Sequence, residues 1–188
     1  MKNITQSARA KESNIRSIEI EESGFEVKMA SIIATLGYIL SPDGSHVLMI
    51  HRNKRPDDIH YGKYNGLGGK LNAQEDIMSC MKREIEEESG LLVDHMLLRG
   101  TIAWPGFGKQ GQDWFGFIFI IDRWHGEAHQ GNEEGTLEWV ERSAIATLPV
   151  WPSDHQFLPM VFDDDPRPFH GVMPWKDGEM LSWSYVRS

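Results

Sequence analysis

The chain has 188 residues, 40% apolar and 25% charged, with 19 basic against 28 acidic side chains for a net charge of −9. That length suits one domain whose core needs no metal or disulfide for stability, and a single cysteine, Cys80, excludes an intrachain disulfide. The acidic balance, with no Lys/Arg stripe, excludes duplex nucleic acid as a partner. The apolar run Phe117–Ile121 falls far short of the roughly 20 residues a membrane span requires. Lys2 has no apolar block behind it, so no signal peptide is expected and the cytoplasm is the expected compartment.

Residues 1–28 are polar and mixed in charge and read as a poorly ordered arm, at most one weak strand over Ser17–Ile20, before a domain over 29–188. Ser31–Leu40 is rich in β-branched residues, Pro42-Asp43-Gly44 is a turn signal and His46–His51 resumes as a strand, so a hairpin is predicted. A polar loop from Arg52 to Tyr64 leads into Asn65-Gly66-Leu67-Gly68-Gly69. A helix follows. Asn72 with Glu75 has the form of a capping box, Ile77, Met81 and Ile85 make one buried stripe, and Gly90 ends it as a left-handed cap. Strands are predicted over Leu97–Trp104, Trp114–Ile121 and Leu137–Val140, with a glycine- and acid-rich loop at Gly126–Gly135. A short helix fits Arg142–Thr147, and Ser153 is placed to cap a second helix ending before Pro166. Asp177-Gly178 marks a last hairpin. The order predicts a mixed α/β or α+β sandwich with helices packed on a sheet.

Glu84 to Glu88, just after Arg83, puts four carboxylates into five positions, and Glu84, Glu87 and Glu88 share one helix face. Alone, such a cluster reads first as a solvated acidic face and only second as a site for hard divalent cations, which prefer oxygen ligands. Its neighbours decide. Gly69, five residues, Glu75, seven residues, then Arg83-Glu84-Ile85-x-Glu87-Glu88-x-Gly90-Leu91 resembles the Nudix box at every position. Membership of the Nudix hydrolases implies an α/β/α sandwich with a mixed sheet. It also implies Mg²⁺-dependent hydrolysis, with Mn²⁺ able to substitute, of a nucleoside diphosphate linked to another group. By this resemblance Glu84, Glu87 and Glu88 ligate the metal with the Gly68 carbonyl, and Glu75 and Arg83 pair to brace the loop. Glu134 fits a fourth metal carboxylate that takes a proton from the attacking water.

Tyr64-Asn65-Gly66-Leu67-Gly68-Gly69-Lys70, Trp151-Pro152-Ser153-Asp154 and Phe169-His170-Gly171 extend the resemblance to the MutT-type branch. That branch implies hydrolysis of a nucleoside triphosphate carrying an oxidised purine, such as 8-oxo-dGTP, to monophosphate and pyrophosphate. Trp151 would then stack on the purine, and Asn65 and Asp154 would bond its edges. Thr35, Arg52 and the Leu67–Lys70 loop would also contact the nucleotide, as would Ser153. Arg52 replaces a lysine of the branch and Ser153 the first of two aspartates, which narrows the protonation patterns available to the pocket. The alternatives are a general nucleotide diphosphatase, an RNA 5′-pyrophosphohydrolase, disfavoured by the missing basic surface, and a catalytically silent nucleotide-binding module. All three box glutamates are present, against the last of these. His60, His155 and His170 show no ligand spacing and are assigned no role; the oligomeric state stays open.

Overall fold

Strands β1 (Ile32–Leu40) and β2 (His46–His51) form the expected hairpin, pairing Ile39 with Leu48. The Asp43 carboxylate holds its turn by accepting from the Ser41 hydroxyl at 2.6 Å and the Ser45 amide at 3.1 Å. The structure, a computed structural model, describes residues 31–188, so the expected polar arm and the strand at Ser17–Ile20 lie outside the described residues. After β3 (Tyr64–Asn65) come helix α1 (Ile77–Ser89) and the long strands β4 (Leu92–Trp104) and β5 (Trp114–His125). Strand β6 (Thr136–Glu141), a 3₁₀ turn over Arg142–Thr147 and helix α2 (Asp154–Phe162) follow. The chain closes with β7 (Phe169–Val172), the hairpin β8 (Trp175–Lys176) and β9 (Glu179–Met180), and β10 (Ser184–Arg187).

The sheet runs β10-β7-β4-β5-β1-β2-β3, with β6 also paired to β2. β1 is parallel to β5 and β4 to β7, while the other pairs are antiparallel. Alternation along β1 and β2 sorts the core onto two faces. Ile39, Leu48 and Ile50 pack with Leu67, Met81 and Ile85 under α1. Tyr38, Val47 and Met49 pack with Phe157, Leu158 and Val161 under α2. One helix therefore covers each face of a mixed sheet, the predicted α/β/α sandwich. Among the described residues no helix is long and apolar enough to cross a membrane.

Both helix starts differ from expectation. Asp76, not Asn72, caps α1: its Oδ1 accepts from the Met78 and Ser79 amides at 2.9 and 3.0 Å. The Asn72–Glu75 half-box exists, with the Asn72 amide donating to Glu75 Oε2 at 3.1 Å. It closes a separate turn in which Gln74 takes φ 70°, so the helix begins one turn late. Ser153 precedes α2 with helical backbone angles and makes no side-chain cap, because its hydroxyl donates to Asp154 Oδ1 at 3.1 Å instead. The other end of α2 is held from the sheet. The buried Arg99 of β4 donates to the carbonyls of Met160, Val161 and Asp163 at 2.9–3.2 Å. Gly90 ends α1 at φ 76° as expected.

Removing the α1 cap leaves two first-turn amides without their acceptor. Asp76→Ala should lower the melting temperature by roughly 2–5 °C while Asp76→Asn stays near wild type. Scanning calorimetry of both variants checks this.

Candidate active site

The glycine loop is built by close approach. The Leu67 amide and carbonyl pair with Gly37 at 3.0 and 2.7 Å, and the Thr35 amide donates to the Gly69 carbonyl at 2.8 Å. Gly68 sits at φ 149°, and a Cβ there would lie 2.2 Å from the Thr35 carbonyl oxygen. A Cβ on Gly69 would lie 2.4 Å from the Glu84 carboxylate. Two glycines are thus required, one for the backbone turn and one for the carboxylate above it.

Arg83 fastens this loop to α1. Its guanidinium grips Glu75 with Nε and Nη2 at 2.8 and 3.0 Å, and Nη1 reaches Glu84 at 2.8 Å and Glu87 at 3.1 Å. Nη2 also donates to the Lys70 carbonyl at 3.3 Å. The Arg83 hydrogen bonds hold the Glu75 carboxyl down to about 2. Glu88 turns the other way and accepts from the Gly68 amide at 2.9 Å. Burial pushes its carboxyl up to about 7, and the nearby charges of Glu84 and Glu134 push further, against the Gly68 amide and Arg52.

Among the described residues no three carboxylates, imidazoles or thiols stand grouped as a finished metal site, since Arg83 engages Glu84 and Glu87. The donor set nevertheless fits a hard divalent cation. Glu88 feels the charges of both Glu84 and Glu134, and a cation beside it would offset that part of the effect that raises it.

Glu134 is joined to Arg52 through Nη1, while Arg52 Nη2 bonds Asp58 and Nε is buried without a partner among the described residues. The Arg52 guanidinium therefore links two carboxylates. Thr35 lies beneath the glycine loop on the α1 side, its hydroxyl 3.5 Å from Cys80 Sγ, and Leu67 is fully buried in the α1 core. The Lys70 ammonium stands 5.2 Å from the centroid of the Trp114 ring.

Trp151, Ser153 and Asp154 enter α2 in one turn, with the Asp154 amide donating to the Trp151 carbonyl at 2.9 Å. The Tyr64 amide bonds the Pro149 carbonyl at 3.0 Å, which brings the strand carrying Asn65 alongside this segment. Asn65 Oδ1 is buried without a hydrogen-bond partner among the described residues, an acceptor that a ligand N–H would satisfy. Burial pushes the Asp154 carboxyl up to about 7, the Ser153 hydroxyl and Lys63 opposing. Burial chiefly, with the Asp154 charge, also raises the Tyr38 phenol well above its ordinary value.

Two residues around this segment carried no sequence signal: His60 and Lys63, both in the aperiodic loop after β2. Lys63 stands 4.7 Å from the Trp151 ring centroid, and Trp151 Nε1–H donates to His60 Nδ1 at 2.8 Å. Their partner lies some 90 positions away in sequence, so only the fold reveals them.

The NUDIX domain family model matches residues 30–161. The oxidized purine nucleoside triphosphate hydrolase of Mus musculus is 32% identical over 124 residues, 65% of this chain and 77% of that protein. The uncharacterized Nudix hydrolase YvcI of Bacillus subtilis is 28% identical over 142 residues, 73% of this chain and 84% of that one. The crystal structure of a mutator MutT protein from Bacillus halodurans superposes with a TM-score of 0.70 at 25% identity, covering 82% of this chain and 97% of that one. With box, fold and relatives in agreement, the chain belongs to the Nudix family and is a hydrolase of its MutT type.

Proposed function

We propose that this Nudix hydrolase cleaves nucleoside triphosphates to monophosphate and pyrophosphate with Mg²⁺, Mn²⁺ substituting, and prefers an oxidised purine such as 8-oxo-dGTP. The observation that carries the base preference is the Asp154 carboxyl, held at about 7 one turn beyond Trp151. Near neutrality such a group donates through its O–H or accepts as a carboxylate, so it reads a base edge by its pattern of donors and acceptors. The buried, unpartnered Asn65 Oδ1 supplies a fixed acceptor, and the indole of Trp151 a stacking face. Likeness to the mouse oxidized purine nucleoside triphosphate hydrolase supports the same substrate class. Ser153, bonded to Asp154 where the branch has a second carboxyl, favours a narrower range of oxidised bases.

Glu84, Glu87, Glu88 and Glu134, with the Gly68 carbonyl, would hold the metal. Bound there, a divalent cation neutralises phosphate charge and lowers the pKa of an attacking water. Gly68 and Gly69 let the backbone close on the phosphates, and Arg83 keeps their loop seated. Glu134, aligned by Arg52, and Glu88, bonded to the Gly68 amide, are the two carboxylates placed to take the proton.

Chelation should abolish pyrophosphate release, with Mg²⁺ or Mn²⁺ restoring it. Glu88→Gln should lower kcat by about 10²-fold or more and weaken Mn²⁺ binding by calorimetry. Near-normal turnover in that variant would remove Glu88 from the metal site. A panel of 8-oxo-dGTP, 2-hydroxy-dATP and dGTP separates oxidised-purine preference from a general diphosphatase, which would turn over all three alike.

Asp154 gives a pH signature. An ordinary carboxyl titrates near about 4, so between about 4 and 7 the folded protein keeps a proton that the unfolded chain releases. The stability this contributes is complete below about 4 and is lost as pH rises through 7. Thermal melts of wild type and Asp154→Asn should therefore diverge with rising pH, the variant gaining. KM for the preferred purine should also change across pH 7 in wild type and flatten in the variant.

A further inference from the structure

The loop between β2 and β3 closes on Trp151 at its edge and over its ring. The indole Nε1–H donates to His60 Nδ1 at 2.8 Å, and the two rings meet edge to face with centroids 5.4 Å apart at 81°. The Lys63 ammonium lies over the indole at 4.7 Å. His60 is itself held from behind. Its backbone amide donates to Asp58 Oδ1 at 3.0 Å, Arg52 takes Asp58 Oδ2, and the same guanidinium bonds Glu134. An unbroken set of contacts thus runs from the carboxylate proposed at the metal to the ring proposed at the base.

Nδ1 accepts a hydrogen bond only in the neutral imidazole that carries its proton on Nε2. Burial, with Arg52 adding to it, lowers the His60 pKa against Asp58 and Glu134 and so keeps that form. Other indoles of this fold are treated differently. Trp124 docks on the Leu40 carbonyl of a strand, and the buried N–H groups of Trp114 and Trp175 have no partner among the described residues. Trp151 receives a dedicated side-chain acceptor on a loop that also carries Arg52. A stacking ring turns about two side-chain bonds, and fixing both before the ligand arrives removes an ordering cost from binding.

We infer that His60 is a positioning residue for base recognition: by accepting the Trp151 N–H it fixes the plane in which the purine stacks. The inference rests on the reading of Trp151 as the stacking ring. Its footprint is in KM, because the ring stands in the same plane before and during phosphoryl transfer.

The test is a double-mutant cycle on the full chain with the best nucleotide of the panel. His60→Leu should raise KM by about 3- to 10-fold, the scale of one net hydrogen bond, with kcat within about 2-fold of wild type. His60→Asn, which restores an acceptor near the Nδ1 position, should recover most of the loss. Trp151→Phe keeps a ring and deletes the N–H, so His60→Leu in that background should change KM by less than about 2-fold. Should His60→Leu not fold, as judged by its melting curve, Trp151→Phe against Trp151→Phe/His60→Asn reads the same bond, with no further change on adding His60→Asn expected. An unchanged KM in His60→Leu, or a full effect persisting on Trp151→Phe, overturns the inference. Trp151→Ala separates the two levels. If it leaves KM unchanged, the stacking reading itself falls; if it raises KM while His60→Leu does not, only the role of His60 falls.

Discussion

One guanidinium holds the site together. Arg83 spends its donors on Glu75, Glu84, Glu87 and the Lys70 carbonyl, so a single side chain ties the glycine loop, the turn after it and the acidic face of α1. Without that fork, carboxylates three and four positions apart on the helix repel one another, and the loop bearing Gly68 and Gly69 loses its anchor. The anchorage matters because both glycines work at contact distance, against Thr35 below and Glu84 above. Arg83 is held firmly protonated by the same carboxylates, so the brace persists across the working range of pH.

The sheet divides the labour. In the proposed function, phosphate and metal chemistry belongs to α1 and its face, and base recognition to the turn that enters α2 on the other. A sandwich keeps two such regions apart unless something crosses the end of the sheet. Here the crossing element is the loop after β2, whose Arg52 meets Glu134 while its His60 and Lys63 meet Trp151. Arg52 makes a poor surface ion pair and a good link, because its planar fork bonds two carboxylates in fixed directions.

The sequence was most readable where one local rule decided the outcome. The β1–β2 hairpin, the Ile77–Met81–Ile85 stripe and the Gly90 cap follow from turn chemistry and helical period, and all three stand in the structure. The α1 start was misplaced because Asn72–Glu75 satisfies the capping pattern locally, while Gln74 in the left-handed region makes it a turn of its own and Asp76 takes the cap. Ser153 had a cap's identity, yet a neighbouring carboxylate claimed its hydroxyl. The box residues of the site were legible because they lie within one helix and its loop. The face of Thr35 and the placement of His60 and Lys63 against Trp151 depend on pairings such as β1 with β5 and on contacts across some 90 residues, which no local pattern encodes.

The uneven fastening of α2 gives the helix a gradient of rigidity. Its C-terminal carbonyls are clamped by the buried Arg99, whereas its start has no side-chain cap and Pro159 offers no N–H to the carbonyl of His155. Backbone opening should therefore begin at the end that carries Asp154, with amide hydrogen exchange faster there than at the clamped end. The residues proposed to recognise the base sit at the less tightly fastened end of this helix. They can adjust by fractions of an ångström to the outline of a base while the clamped end keeps the core closed behind them.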